Sequence, residues 1–396
     1  MTRKLLLALA AASFATGPVA ALAADQEVIA AKERMKASAF DYTPQDDDER
    51  GLWLEMDEQE REIKNSKFLI RDQALNDYIR SVLCKAVGKD RCGATRIYVV
   101  RTPYFNASMA PNGMMVVWTG LLLRARNEAE LATVLAHEFG HFENLHSLQS
   151  FRDIRAKTDA MAWLSFLPYG IGLIGQVGLI GSVFSFNRDM ERQADMVAVD
   201  YMAAHGYDPR AAADIWEHFR AEMDATAAER NVKSRKDKNS GFFATHPNSG
   251  ERMEYLRAAA AKKGADGFSN GSLEYRAAMA DWWPKLIDDQ IKLNDFGATE
   301  FLLGQLAASG WTPELLYARG ELYRARGKEG DFQKAVDFYR QSIGIGSSIA
   351  ENWRGLGISL MRSGEKEDGQ KALREYLAKR PDAADKAMIS MMAGVV

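Results

Sequence analysis

The sequence predicts an α+β chain, mainly helical, with a small β-sheet in its first domain and helices alone in its second. Three observations lead there. Apolar residues recur at helical spacing through most of the 396 residues; a stretch between 96 and 118 switches to short β-branched runs; and beyond about 264 small residues repeat in paired helix-length segments. The length suffices for two domains and at least one sizeable core. A formal net charge of -3 gives no polyelectrolyte signal, so nucleic acid is not expected as a partner.

The first element is an export signal over 1–23: Arg3 and Lys4, an apolar run over 5–12, and Ala21-Leu22-Ala23 as a small-x-small cleavage site near Ala23. Gly17-Pro18 breaks the apolar run and argues against an uncleaved anchor. The chain has two cysteines, Cys84 and Cys92. Export to an oxidising compartment favours a disulfide between them, and their spacing suits no zinc cluster.

After the charged stretch 46–50, helices are expected over 49–66 and 72–86. Arg96-Ile97-Tyr98-Val99-Val100 reads as a strand, and 105–109, the turn Pro111-Asn112-Gly113 and 114–118 read as strand, turn, strand. If one of these strands is an unpaired edge, Asn106, Ala107 and Ser108 could hold an extended peptide by main-chain hydrogen bonds; the other reading is an ordinary hairpin.

Helices follow over 121–126 and 128–147, the second carrying His137-Glu138-Phe139-Gly140-His141. Residues four apart on a helix lie about 40° apart around its axis, so both imidazoles project from one face and can bind one zinc ion. Glu138, beside the first ligand, can then accept a proton from an attacking water, the arrangement of a zinc peptidase. The uncharged stretch 160–186, with Gly172, Gly175, Gly178 and Gly181 at three-residue intervals, reads as a buried or lid-like helical hairpin. A membrane span, or a peripheral membrane contact through 160–186, is the competing reading.

Glu191 and Asp195 are four apart and share a helix face. One can supply the missing ligand while the other orients a ligating histidine. Asn144 and Ser147 stand where a metzincin needs Gly and His, which excludes that class. His146, five after His141, is expected to point elsewhere as a surface or packing residue, as are His205 and His218. His246, followed by Arg252, closes a Lys-rich loop over 231–240. It can stabilise an oxyanion, fold back as an extra metal ligand that blocks the water site, or merely pack at a helix entry; His246 and Arg252 therefore join the catalytic candidates.

In the last part, Leu316, Gly320 and Ala335 correspond to Trp353, Gly357 and Ala372, with Pro381 closing the second unit and 296–309 as a partial one. This is the tetratricopeptide pattern, and it divides the chain into 24–268 and 269–396. The array reads as a docking face for a protein segment or as a packing platform.

Taken together, Asn106-Ala107-Ser108, Pro111-Asn112-Gly113, Gly120-Leu121-Leu122, His137-Glu138-x-x-His141, Glu191-x-x-x-Asp195 and Thr245-His246-Pro247 resemble the M48 zinc metallopeptidases over about 75–260. With the export signal and the repeats, the likeness is to the periplasmic members. The resemblance implies a zincin-type domain with one Zn2+ per chain held by His137, His141 and Glu191, Glu138 as general base and Asp195 behind a ligand. It implies a role in envelope quality control, with unfolded or misassembled proteins as substrates and the repeats docking substrate or outer-membrane assembly machinery. His246 matches a position implicated in holding the site latent. Gln193 departs from the acidic residue of many members, at a position not expected to ligate, and the array is short. A chaperone or adaptor with a silent peptidase, and an integral-membrane peptidase resting on 160–186, are the competing functions.

Overall fold

The computed structural model describes residues 42–155, 186–237, 246, 250–264 and 266–395. The expectations for the signal over 1–23, for 160–185, for the end of the Lys-rich loop over 238–240 and for Thr245 and Pro247 fall outside these residues. Helix α1 (Asp47–Asn65) starts where the Asp46 carboxylate accepts hydrogen bonds from the amides of Asp48 and Glu49. Helix α2 (Gln73–Val87) is capped in the same way by Asp72, and α3 (Lys89–Cys92) follows it at once. The Cys84–Cys92 disulfide ties the two together, with Cα atoms 5.0 Å apart.

The sheet has three strands, β1 (Arg96–Val100), β2 (Ala107–Met109) and β3 (Met114–Trp118), in the order β1-β3-β2. β2 and β3 form an antiparallel hairpin with Ala107 opposite Val117, and β1 runs parallel to β3. Gly113, at φ +87°, closes the turn by donating to the Ala110 carbonyl at 3.0 Å. β3 lies centrally and is buried at every residue, which is why its sequence is apolar throughout rather than alternating. β2 is thus both hairpin strand and sheet edge.

Helix α4 (Thr119–Arg124) leads to α5 (Glu128–Glu143), all of whose residues are buried. The sequence predicts one helix to 147; instead it stops at Glu143, and α6 (His146–Arg155) starts anew. Asn144 bonds back to the Gly140 carbonyl through its side chain at 2.7 Å, and Leu145 takes a left-handed conformation at φ +54°. No glycine or proline announces this stop. Burial of the Leu145 side chain against Leu148, Phe186 and Met190 offsets its backbone strain.

Helix α7 (Arg188–Ala204), capped by Asn187, packs along α5. A Cβ on Gly140 would lie 3.2 Å from the Ala194 backbone, so glycine there sets how closely the two helices approach. α8 (Ala211–Glu229) and α9 (Gly250–Ala261) complete this part. Next come α10 (Ser272–Met279), α11 (Trp283–Ile291), α12 (Phe296–Leu306), α13 (Pro313–Arg326), α14 (Asp331–Gly344), α15 (Glu351–Arg362), α16 (Lys366–Lys379) and α17 (Lys386–Ala393).

One hydrophobic core runs from Leu75 and Leu135 through Trp216 and Tyr275 to Leu302 and Leu322. Gly320 and Gly357, which correspond in sequence, both sit at helix crossings. A Cβ on the first would meet the Tyr339 ring at 2.6 Å, and on the second the Leu373 side chain at 2.7 Å. Among the described residues no helix is long and apolar enough to cross a membrane.

Candidate metal centre

Helix α5 carries His137, Glu138 and His141 into the interior, each at most 2 % exposed. Its depth follows from packing on α2, α7, α8 and β2. Helix α7 brings Glu191 and Asp195 to the same point, and His246 joins them. Ligand atoms of His137, His141, Glu191 and His246 all lie within 4.8 Å of one another. His137 Nε2 is 3.1 Å from His141 Nε2 and 3.3 Å from His246 Nδ1, while Glu191 Oε1 is 2.9 Å from His246 Nδ1 and 3.3 Å from His141 Nε2.

These separations fit a small tetrahedral cation, since bonds of about 2.0–2.1 Å imply edges of about 3.4 Å between donors. The donor chemistry agrees. Burial holds the His141 imidazole well below its ordinary pKa, leaving a lone pair free for a metal. Burial would raise the Glu191 carboxyl, but His246 and Arg252 outweigh it and hold the group ionised.

A second ring of contacts fixes the orientation of these ligands. Asp195 Oδ1 accepts from His137 Nδ1 at 2.9 Å, which turns the Nε2 lone pair toward the donor group. Arg252 donates twice to Asp195, both at 2.7 Å, and its Nη1 lies 3.0 Å from Glu191 Oε2. Its guanidinium stacks over Trp216 at 4.5 Å, and Tyr255 also donates to Asp195. Asp195, pushed up by burial but outweighed by Arg252 and His137, is held at about 2.

Glu138 stands beside the donors, Oε1 3.6 Å from His246 Nε2, and burial raises its proton affinity. Phe186 stacks on the His141 ring at 3.8 Å. Asn106, Ala107 and Ser108 lie at and before the edge strand, with the Asn106 carbonyl accepting from Trp118 N–H at 3.1 Å.

His146 is a correction. It is 1 % exposed, and its Nδ1 lies 2.9 Å from His141 Nδ1 rather than at the surface. The stop at Leu145 restarts the helix in a new direction and brings the ring round. Gln193 lies 3.3 Å from His146 Nε2. His205 and His218 stay apart from the cluster, on the Tyr201 carbonyl and Glu130. Sequence reasoning missed Trp216, Tyr255 and Phe186. Of these only Tyr255 left a trace, three residues after Arg252 on α9 and so on its face.

Two helix-borne histidines four apart, a buried glutamate beside the first and a carboxylate from a later helix define a metallopeptidase centre. Residues 70–260 match the family model of Peptidase family M48. The chain is 32 % identical over 176 residues to the mitochondrial metalloendopeptidase OMA1 of Schizosaccharomyces pombe, covering 42 % of this chain and 48 % of the relative. It is 26 % identical over 217 residues to the beta-barrel assembly-enhancing protease of Yersinia pestis, covering 50 % and 43 %. With the Escherichia coli (strain K12) protease of that name it shares 25 % over 165 residues, 38 % and 34 %. The matches span less than half the length of these relatives.

Proposed function

We propose that the chain is an exported zinc endopeptidase acting on misfolded or stalled envelope proteins, with His246 holding its site latent. The observation that carries this reading is the convergence of His137, His141, Glu191 and His246 around one point with Glu138 at its side. Two imidazoles and a carboxylate suit zinc, with His137, His141 and Glu191 as its holders. Bound there, the ion supplies Lewis acidity toward a water molecule and a peptide carbonyl. Glu138 accepts the proton of the attacking water and returns it to the leaving amine. Asp195 and Arg252 keep His137 and Glu191 oriented. His246 Nδ1 fills the fourth corner, where water and substrate need room.

The export-type N-terminus, the disulfide and the likeness to the beta-barrel assembly-enhancing proteases support a periplasmic setting. The edge strand at Asn106–Ser108 would receive an extended substrate, and the tetratricopeptide-like helices would dock the substrate or outer-membrane assembly machinery. A second reading, an adaptor whose peptidase is usually silent, is favoured by the same placement of His246.

Casein cleavage by the mature protein, Glu138→Gln and His246→Ala, with bound zinc quantified, tests this. Zinc in all three and cleavage lost by about 10²–10⁴-fold in Glu138→Gln support the peptidase. Cleavage raised in His246→Ala supports latency. Unimpaired cleavage by Glu138→Gln rejects the assignment.

A further inference from the structure

A cavity of about 840 Å³ opens between α8, α11 and the segment leading into β2. It lies close to the metal centre but is distinct from it. Phe105 stacks on Phe219 at 4.5 Å and meets Trp216 edge-on at 5.8 Å, and Trp216 in turn meets His137 at 6.2 Å. The cavity thus begins two aromatic rings from a donor histidine. Tyr104 and Phe105, at its rim, immediately precede Asn106 and the edge strand, so a chain laid along β2 runs into it.

Its chemistry is specific. Phe105, Phe219, Met223 and Leu293 supply apolar walls, with Val232 60 % exposed at the mouth. Lys233 and Arg235 also line it; both are exposed, and neither has an ion-pair partner among the described residues. Arg230 is engaged by Asp295 and Arg124 by Glu222, so the uncompensated charge at the mouth is positive. On the floor, Gln290 is 1 % exposed; its Oε1 accepts from Arg124, while its Nε2 has no acceptor among the described residues. A buried amide donor without an acceptor is costly and favours a site where a ligand oxygen can be received.

We propose that this cavity is a substrate subsite, taking a bulky apolar side chain followed by an acidic group from the polypeptide that lies on β2. It rests on the peptidase reading and adds a substrate preference to it. Apolar walls accept the side chain, Gln290 Nε2 donates to a backbone carbonyl, and Lys233 and Arg235 attract the carboxylates.

The test is fluorescence anisotropy of full-length Glu138→Gln protein with two labelled dodecapeptides that differ only in Phe-Glu-Glu against Phe-Lys-Lys. The acidic peptide should bind about tenfold tighter, and Lys233→Glu with Arg235→Glu should abolish or reverse that preference. Met223→Trp, which fills the cavity, and Val232→Ser, which removes an apolar rim contact without adding charge, should each weaken the acidic peptide. Equal binding of the two peptides overturns the proposal. So does a preference that responds to the charge reversals but to neither cavity variant, since that is surface attraction alone. Casein hydrolysis undiminished in Glu138→Gln would sink the peptidase reading while leaving this binding result standing.

Discussion

His146 Nδ1 and His141 Nδ1 lie 2.9 Å apart, and the opposite nitrogen of His146 faces the Gln193 carbonyl oxygen. Burial holds His146 neutral, with its pKa pushed down to about 4, so it carries one N–H. If that hydrogen is given to Gln193, His146 Nδ1 must accept, His141 must donate from Nδ1, and the Nε2 lone pair of His141 is turned to the metal. A neighbour that fixes a ligand's tautomer commonly governs affinity by about 10–100-fold. His146→Ala should therefore lose affinity for zinc by about that factor in a chelator competition, with the fold intact by circular dichroism. Unchanged affinity would remove His146 from the site.

Asp195 and Arg252 form a pair that is almost wholly buried, at 3 % and 1 % exposure. Removing one partner strands the other, so Asp195→Asn should cost about 3–5 kcal/mol in chemical denaturation. Adding Arg252→Met to Asp195→Asn should cost less than the sum of the two single changes, because each already breaks their shared contact. A larger loss in the double variant would contradict this account.

Much of this arrangement was open to reading in the sequence. The four-residue spacings placed His137 with His141 and Glu191 with Asp195, because helix geometry is local. The turn at Gly113 and the apolar run of β3 were legible for the same reason. What escaped depends on distant packing. The left-handed Leu145 is a tertiary bargain without a local signal, and with it went His146. β1 pairs with β3 rather than with its neighbour in sequence, which no pattern of alternation encodes. Trp216 reaches His137 and Arg252 from a helix begun some seventy residues after the histidine.

Glu60 accepts from Arg96 at 2.6 and 2.7 Å and from Tyr98 at 2.5 Å, joining α1 to β1. The Arg96 guanidinium, against the opposing effect of burial, lowers its carboxyl from 4.5 to about 2. Because the folded value is depressed, the stabilisation is complete above about pH 4.5 and fades as the pH falls toward 2. Glu60→Gln should cost about 1.5–3 kcal/mol at neutral pH, and the gap in melting temperature from wild type should narrow through that acidic window. A constant gap would mean that the charge is not responsible.

The Cys84–Cys92 bridge closes a loop with a sequence separation of 8. On the chain-entropy account this contributes about 2.5 kcal/mol. The loop also carries Arg91, which lies 3.7 Å from the buried Glu143 at the end of α5. Cys84→Ser with Cys92→Ser should lower the melting temperature, and dithiothreitol should do the same to wild type but not to the double variant. An effect of the reductant on the double variant would trace the loss elsewhere.

The two oxygens of Glu191 answer to different partners: Oε1 to His246, Oε2 to Arg252. If His246 were withdrawn, Arg252 would still hold the carboxylate at its second oxygen, and Asp195 would still hold His137. His246 and the Arg252–Asp195 pair thus hold the site through separate contacts. Under the proposed latency, release of one imidazole would leave His137, His141 and Glu191 as three donors with their own supports in place, so activation would amount to competition for a single vertex.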